Sequence, residues 1–273
     1  MKRHVDDVVK ILIGSALIAA GAVLIIPLLF TLLLSFEPRG YMAPFPPPGL
    51  SLQWYSKFFG SEYYMRALGI SFAIALIAAT VSSVIGVMAA LCLTRSKSKI
   101  VHAINALFVA PLIVPGVVIG FSLLFFFSRI GVESSAIKII LAHVLITLPY
   151  TIRTNVASMA GIGETMVEAS LSLGAREGQT LRRIVLPLGR TGIATGFIFA
   201  FAFSMDDIAV TIFLTSPTVY TLPAALIANM KANFDLTIAA ASVFLAGVAL
   251  LVIIILDRIV GVETVMGQGI YRN

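Results

Sequence analysis

Glu168-Ala169-Ser170-Leu171-Ser172-Leu173-Gly174, followed by Ile184-Val185-Leu186-Pro187, is a polar and small-residue stretch in a chain otherwise made of long apolar runs. Ile162, Met166, Ala169 or Ser170, and Leu173 recur at steps of three and four, which predicts an apolar stripe on a short helix. Gly174 suits the C-terminus of that helix or a sharp turn. Leu181, Ile184 and Val185 begin a second apolar patch. Pro187 stops it and opens the next helix, where a missing N–H costs little. Glu164, Glu168, Arg176, Glu177, Arg182 and Arg183 decorate the polar faces. Such a loop either packs under its own helices or lies in a groove on a soluble partner.

The surroundings decide what kind of chain carries this loop. Of its 273 residues, 59% are hydrophobic and only 12% are charged, about half the charged share of a soluble domain. Mean hydropathy is +1.03. The main solvent is therefore lipid. Crossing it takes about 20 helical residues per span. Six apolar segments are long enough or nearly so: Ile11–Ser35, Ala67–Thr94, Ile100–Phe127, Ala136–Ile152, Gly189–Met205 and Thr237–Leu256. They are continuous rather than alternating, which excludes a lipid-facing barrel. The fourth is the least apolar, holding Lys138 and His143 and ending near Pro149. Pro111 and Pro115, with Gly116 and Gly120, predict a kinked third helix. The N-terminal run is too long for a signal-peptide core and reads as a retained first helix. The chain is thus expected to be a single all-α, six-helix membrane domain over residues 1–273.

Lys and Arg set the orientation. With the N-terminus inside, inner segments hold Lys2, Arg3, Lys10, Arg95, Lys97, Lys99, Arg153, Arg176, Arg182, Arg183, Arg190, Arg258 and Arg272. Outer segments hold Arg39, Lys57, Arg66, Arg129, Lys138 and Lys231. That excess places both termini and the loop at about 154–188 on the cytoplasmic side. It also accounts for the net charge of +6 without nucleic acid. The outer loops are then about 37–65 and 208–235. The first combines Pro44, Pro46, Pro47 and Pro48 with Trp54, Tyr55, Phe58, Phe59, Tyr63 and Tyr64. It reads as a stiff connector and an interfacial aromatic belt, or as a docking face for an extracytoplasmic partner.

Few other residues carry chemistry. Asp206 and Asp207 end the fifth run, about 26 Å of helix rise from Gly189. Acids at that depth face either water at a helix end or a polar route. Two adjacent acids cannot point the same way, so at most one lines such a route. His143 reads as a packed histidine, since no acid lies one or two turns away on its own helix. The lone Cys92 excludes an intramolecular disulfide, and scattered His4, His102 and His143 give no metal site. No GxxxxGK[ST] phosphate loop is present, so the chain is not read as an enzyme.

The loop resembles the Glu-Ala-Ala…Gly…Ile-x-Leu-Pro signature of permease subunits in binding-protein-dependent ABC importers. Glu168, Ala169, Ser170, Gly174, Ile184, Leu186 and Pro187 fall at the family spacing, with Ser170 in place of the second alanine. Ser204-Met205-Asp206-Asp207, Phe213, Thr221-Leu222-Pro223, Met230 and Lys231 resemble the spermidine/putrescine-type subgroup. Ser216-Pro217 and Ile238 depart from that subgroup. The resemblance implies a type I ABC importer permease fold in a bacterial cytoplasmic membrane. It implies coupling to two ATPase subunits through the 168–187 loop, and a second homologous permease. It also implies a solute-binding protein outside and a small cationic solute such as a polyamine, or another amine, opine or aminophosphonate. No cofactor is implied. The route would involve Asp206 or Asp207, with Ser204 and Tyr220. The other class considered is an ion-gradient-driven transporter, for which the mid-bilayer sequence offers only His143 and Lys138.

Overall fold

A computed structural model describes residues 2–40, 46–96, 98–162, 164–232 and 235–260. Pro44, Lys97 and Arg272, used above, lie outside the described residues. The helices are α1 (Lys2–Leu34), α2 (Gln53–Gly60), α3 (Glu62–Arg95), α4 (Lys99–Val109), α5 (Gly116–Arg129), α6 (Ser135–Ala160), α7 (Glu164–Ser172), α8 (Glu177–Thr180), α9 (Leu186–Leu188), α10 (Arg190–Asp206), α11 (Leu222–Ala232) and α12 (Thr237–Val260). No strand occurs among the described residues.

Four stretches are long and apolar enough to cross a bilayer by themselves: Ile13–Leu34, Glu62–Arg95, Ser135–Ala160 and Thr237–Ile255. Two bent pairs, Lys99–Leu112 with Gly116–Arg129 and Glu177–Leu188 with Arg190–Asp206, bring the spans to as many as six. The third run is broken rather than kinked, with a bend of 107°. Pro115 stands in extended backbone before α5. Its ring disfavours helical geometry in the residue before it, so the chain turns there instead of bending through. The fourth run continues to Ala160 through Pro149.

The chain divides into two compact units, Met1–Met65 with Asn229–Val248 and Arg66–Ala228 with Ala249–Asn273. In the first unit α2 is an amphipathic two-turn helix that sequence reading took for connector. Trp54 and Phe58 are buried, so they form its core rather than a membrane belt. Trp54 packs with Leu236 and Ala240. Phe58 meets the rings of Tyr64 and Phe244 at 5.6 and 5.7 Å. The Trp54 indole N–H donates to the Glu37 carbonyl at 2.6 Å. The Lys57 ammonium donates to the Asp235 carboxylate at 2.6 Å, and Asp235 also accepts the amide of Thr237, the first residue of α12.

The second unit is built on the pair α6 and α10. On α6, His143, Thr147, Thr151, Asn155 and Met159 recur every four residues and are all buried. On α10, Gly192, Gly196, Ala200 and Ser204 recur at the same step and are also buried. Small residues let the backbones approach, which is how helices associate where no hydrophobic force acts between them. A Cβ on Gly192 would meet the Thr154 carbonyl at 2.7 Å, and one on Gly196 would meet the Thr154 hydroxyl at 2.5 Å. α3 joins by the same device. Gly86 lies against Thr151, whose hydroxyl donates to the Ser82 carbonyl at 2.8 Å, and the Ser82 and Thr147 hydroxyls bond at 2.6 Å. Thus the polarity that made the fourth run look weak faces inward.

Two outcomes are expected. Burial opposes ionisation of Asp235, but hydrogen bonds from Lys57 and Thr237 outweigh it and hold its pKa below the usual carboxylate range. A lowered folded-state pKa means that ionised Asp235 stabilises the unit at neutral pH and loses that effect as pH falls through the lowered value. Emission of Trp54, the single tryptophan, should therefore shift in strong acid. Asp235→Asn should produce part of that shift at pH 7; an unshifted spectrum in the variant contradicts the assignment. In the second unit, Gly192→Ala should cost about 1–3 kcal/mol through overpacking and lower the melting temperature of purified protein. Gly69→Ala, where a Cβ meets open space, should not; equal melting of the two would refute close α6–α10 packing.

Candidate functional site

Residues 164–188 are strung between the two helices of the seam. α7 ends in a Schellman turn. The Gly174 amide donates to the Leu171 carbonyl at 2.9 Å, and the Ala175 amide to the Ser170 carbonyl at 3.1 Å. Gly174 has φ +86°, the left-handed region that a side chain resists. The glycine in the motif is therefore a backbone requirement. Ser170, the one departure from the alanine pair, is not idle. Its hydroxyl bonds the buried Thr180 hydroxyl at 2.9 Å, tying α7 to α8. The Gln179 side chain accepts the Arg176 amide at 3.0 Å and caps α8.

Beyond α8 the chain widens over Leu181–Val185, where the Leu186 amide donates back to the Leu181 carbonyl. Pro187 then starts α9 without needing its N–H. The chain bends by 65° into α10. Val185 is buried, while Ile184 and Leu186 are half-buried and Pro187 is exposed. So Val185 anchors the loop's end, Ile184 and Leu186 flank it half-covered, and Pro187 sits in the turn that follows. Leu173 (89% exposed) and Met166 (49% exposed) lie open. Ala169 is exposed beside them. Glu168 lines a groove of about 640 Å³ with Arg95, Thr94, Met159 and Val185.

The other cluster lies at the Asp206 end of α10. Asp206 is exposed. Asp207 has a side chain only 6% exposed and is consumed internally. Its carboxylate accepts the Thr211 amide at 3.0 Å, the Thr211 hydroxyl at 2.8 Å and the Val210 amide at 3.3 Å. Ser204 is buried as well, bonded to the His143 ring at 2.6 Å. Tyr220 is half-buried in the following loop. That loop is pinned by Arg66, which donates to the Thr218 carbonyl, and by Ser71, which accepts the Leu222 amide. The two acids thereby differ in surroundings, Asp206 open and Asp207 enclosed. Sequence reading missed the company of His143, because its partners come from α10 and the turn after it.

The comparisons are consistent with this architecture. Residues 82–262 match the family of binding-protein-dependent transport system inner membrane components. The chain belongs to that family. As such the permease is a multi-pass inner-membrane protein and a transport subunit of an ABC importer, with ATP hydrolysis in a separate subunit. It falls in the spermidine/putrescine-type branch. It is 30% identical over 210 residues to the spermidine/putrescine transport system permease protein PotC of Haemophilus influenzae, covering 77% of this chain and 81% of that protein. It is 27% identical to PotC of Escherichia coli K12 over 245 residues, 90% of this chain and 92% of that protein. The fold is also that of a membrane subunit from a bacterial ABC transporter for the import of the acidic polysaccharide alginate. The TM-score is 0.69 at 17% identity, with 94% of each chain covered.

Gly174→Val in the permease should cost about 1–2 kcal/mol locally, the penalty of a side chain in left-handed backbone. Hydrogen exchange of the Gly174 and Ala175 amides should accelerate while α10 is unaffected. Unchanged exchange at those two amides would show that the turn does not depend on glycine.

Proposed function

We propose that residues 164–188 form the cytoplasmic coupling element of the permease, received by an ATPase subunit. The observation that carries this is an ordered helix whose apolar residues Met166 and Leu173 lie open, next to a glycine-dependent turn. An amphipathic helix with an uncovered apolar side fits a groove on a partner. Glu168, Ala169, Ser170, Gly174, Ile184, Leu186 and Pro187 divide the work: Glu168 and Ala169 face outward, and the others shape and anchor the turn. Both termini lie on the same cytoplasmic side as this loop. Two ATPase subunits and a second, homologous permease complete the importer, and an extracytoplasmic binding protein delivers the solute.

The solute is a small organic cation of the polyamine kind. Two things support this. Relatives over most of the chain are spermidine/putrescine permeases, and an acid, Asp206, stands exposed at the opposite end of α10 from the coupling loop. An exposed carboxylate at a span's end attracts a di- or tri-cation entering the route. Asp207 and Ser204 serve the same end of the route from behind, as supports, with Tyr220 in the loop beside it.

In proteoliposomes holding the whole importer, Asp206→Asn should lower spermidine uptake about tenfold, or about 1.4 kcal/mol of barrier, with the complex still assembled. Uptake should require ATP and survive a protonophore. Wild-type uptake by Asp206→Asn would remove the acid from the route, and loss of uptake with the protonophore alone would contradict coupling to an ATPase.

A further inference from the structure

We propose that His143 is a positioning residue: one buried imidazole holds both ends of the segment 204–211 and so fixes where Asp206 stands. The proposal rests on the reading that Asp206 lies on the solute's route.

His143 is fully buried on α6. Its Nδ1 lies 2.6 Å from the Ser204 hydroxyl, in the last turn of α10. Its Nε2 lies 2.7 Å from the Thr211 hydroxyl, in the 3-10 turn that follows. Ser204 and Thr211 flank both acids in sequence. The tautomer follows from the chain of donors. The Thr211 hydroxyl gives its proton to the Asp207 carboxylate at 2.8 Å, so its oxygen accepts from Nε2–H. In the neutral ring Nδ1 is then the acceptor of the Ser204 O–H. One ring thus receives a bond from one side of the bend and makes one to the other. The Asp207 carboxylate lies 3.6 Å from Nε2 and holds the Val210 and Thr211 amides.

The bend has packing on its other side too. Gly116 and Gly120 of α5 lie so close that a Cβ on either would come within 2.9 Å of Ala209 or Val210. Val210 and Leu214 share a core with Ile139 and Ile146 of α6. Asp206 is the polar side chain left pointing out of a segment otherwise hydrogen-bonded at Ser204, Asp207 and Thr211. A fully satisfied buried network specifies one geometry. Asp207 ties the end of α10 to Thr211 from within the segment; the imidazole ties Ser204 and Thr211 to α6.

The test uses the assembled importer in proteoliposomes with spermidine as probe. His143→Ala should cut uptake about tenfold, a coupling typical of neighbouring residues, without loss of assembly. Ser204→Ala, which removes the hydroxyl bonded to Nδ1 and leaves the Thr211–Asp207 bond in place, should do the same and decides the matter if His143→Ala does not assemble. In an Asp206→Asn background neither change should lower uptake further. A merely structural defect would lower it equally in both backgrounds, and that multiplicative loss overturns the proposal, as does wild-type uptake by Ser204→Ala. Hydrogen exchange separates the two readings. If Asp206→Asn transports normally, or too little to fall further, faster exchange confined to residues 205–212 in Ser204→Ala upholds positioning by His143. Unchanged exchange there overturns it. Normal transport by Asp206→Asn by itself defeats only the assignment of the route.

Discussion

The close approach of α6 and α10 is the constraint on which the second unit depends. Hydrocarbon gives two apolar helices no reason to leave lipid for each other, so association has to come from dispersion at short range and from hydrogen bonds. Gly192, Gly196 and Ala200 supply the first by leaving no side chain in the way. The stripe from His143 to Asn155 supplies the second at one point, the His143–Ser204 bond, while its threonines bond α6 itself and Ser82 of α3. α3 enters the same seam through Ser82 and Gly86.

This seam connects the two candidate regions. The 164–188 loop leaves from one seam helix and returns to the other. Asp206 ends the second, and the turn after it is held by His143 of the first. A load applied to the loop therefore reaches two helices that cannot slide freely, because their contact is set by close-packed glycines and by the His143–Ser204 bond. Packed interfaces of this kind tend to move as bodies rather than deform. The Schellman turn at Gly174 and the Ser170–Thr180 bond keep the loop's own arms from separating under that load.

The spans were legible because their signal is length and apolarity, but the fourth, expected to end at Ile152, runs on to Ala160, and the third is broken. The loop motif was legible because glycine, proline and the apolar step each have a local backbone consequence. What escaped was tertiary. Trp54 and Phe58 looked interfacial because nothing local says that Leu236 and Phe244, far along the chain, cover them. The polar fourth run looked like a poor membrane helix because polarity alone does not reveal that every fourth residue is buried against α10 or α3. Asp206 and Asp207 were indistinguishable as neighbours. Their separation depends on Thr211 and His143, which one-dimensional spacing does not bring together.

The central claim is that α6 and α10 form one rigid body through the transport cycle. A pulsed-EPR distance between spin labels at the exposed positions Leu145 and Phe199 tests it most directly. The measurement is made in the complete importer with the free Cys92 replaced by serine, nucleotide-free and then vanadate-trapped. The account predicts one narrow distance distribution, the same in both states. A shift or broadening between the states would mean that the seam slides, and would contradict it.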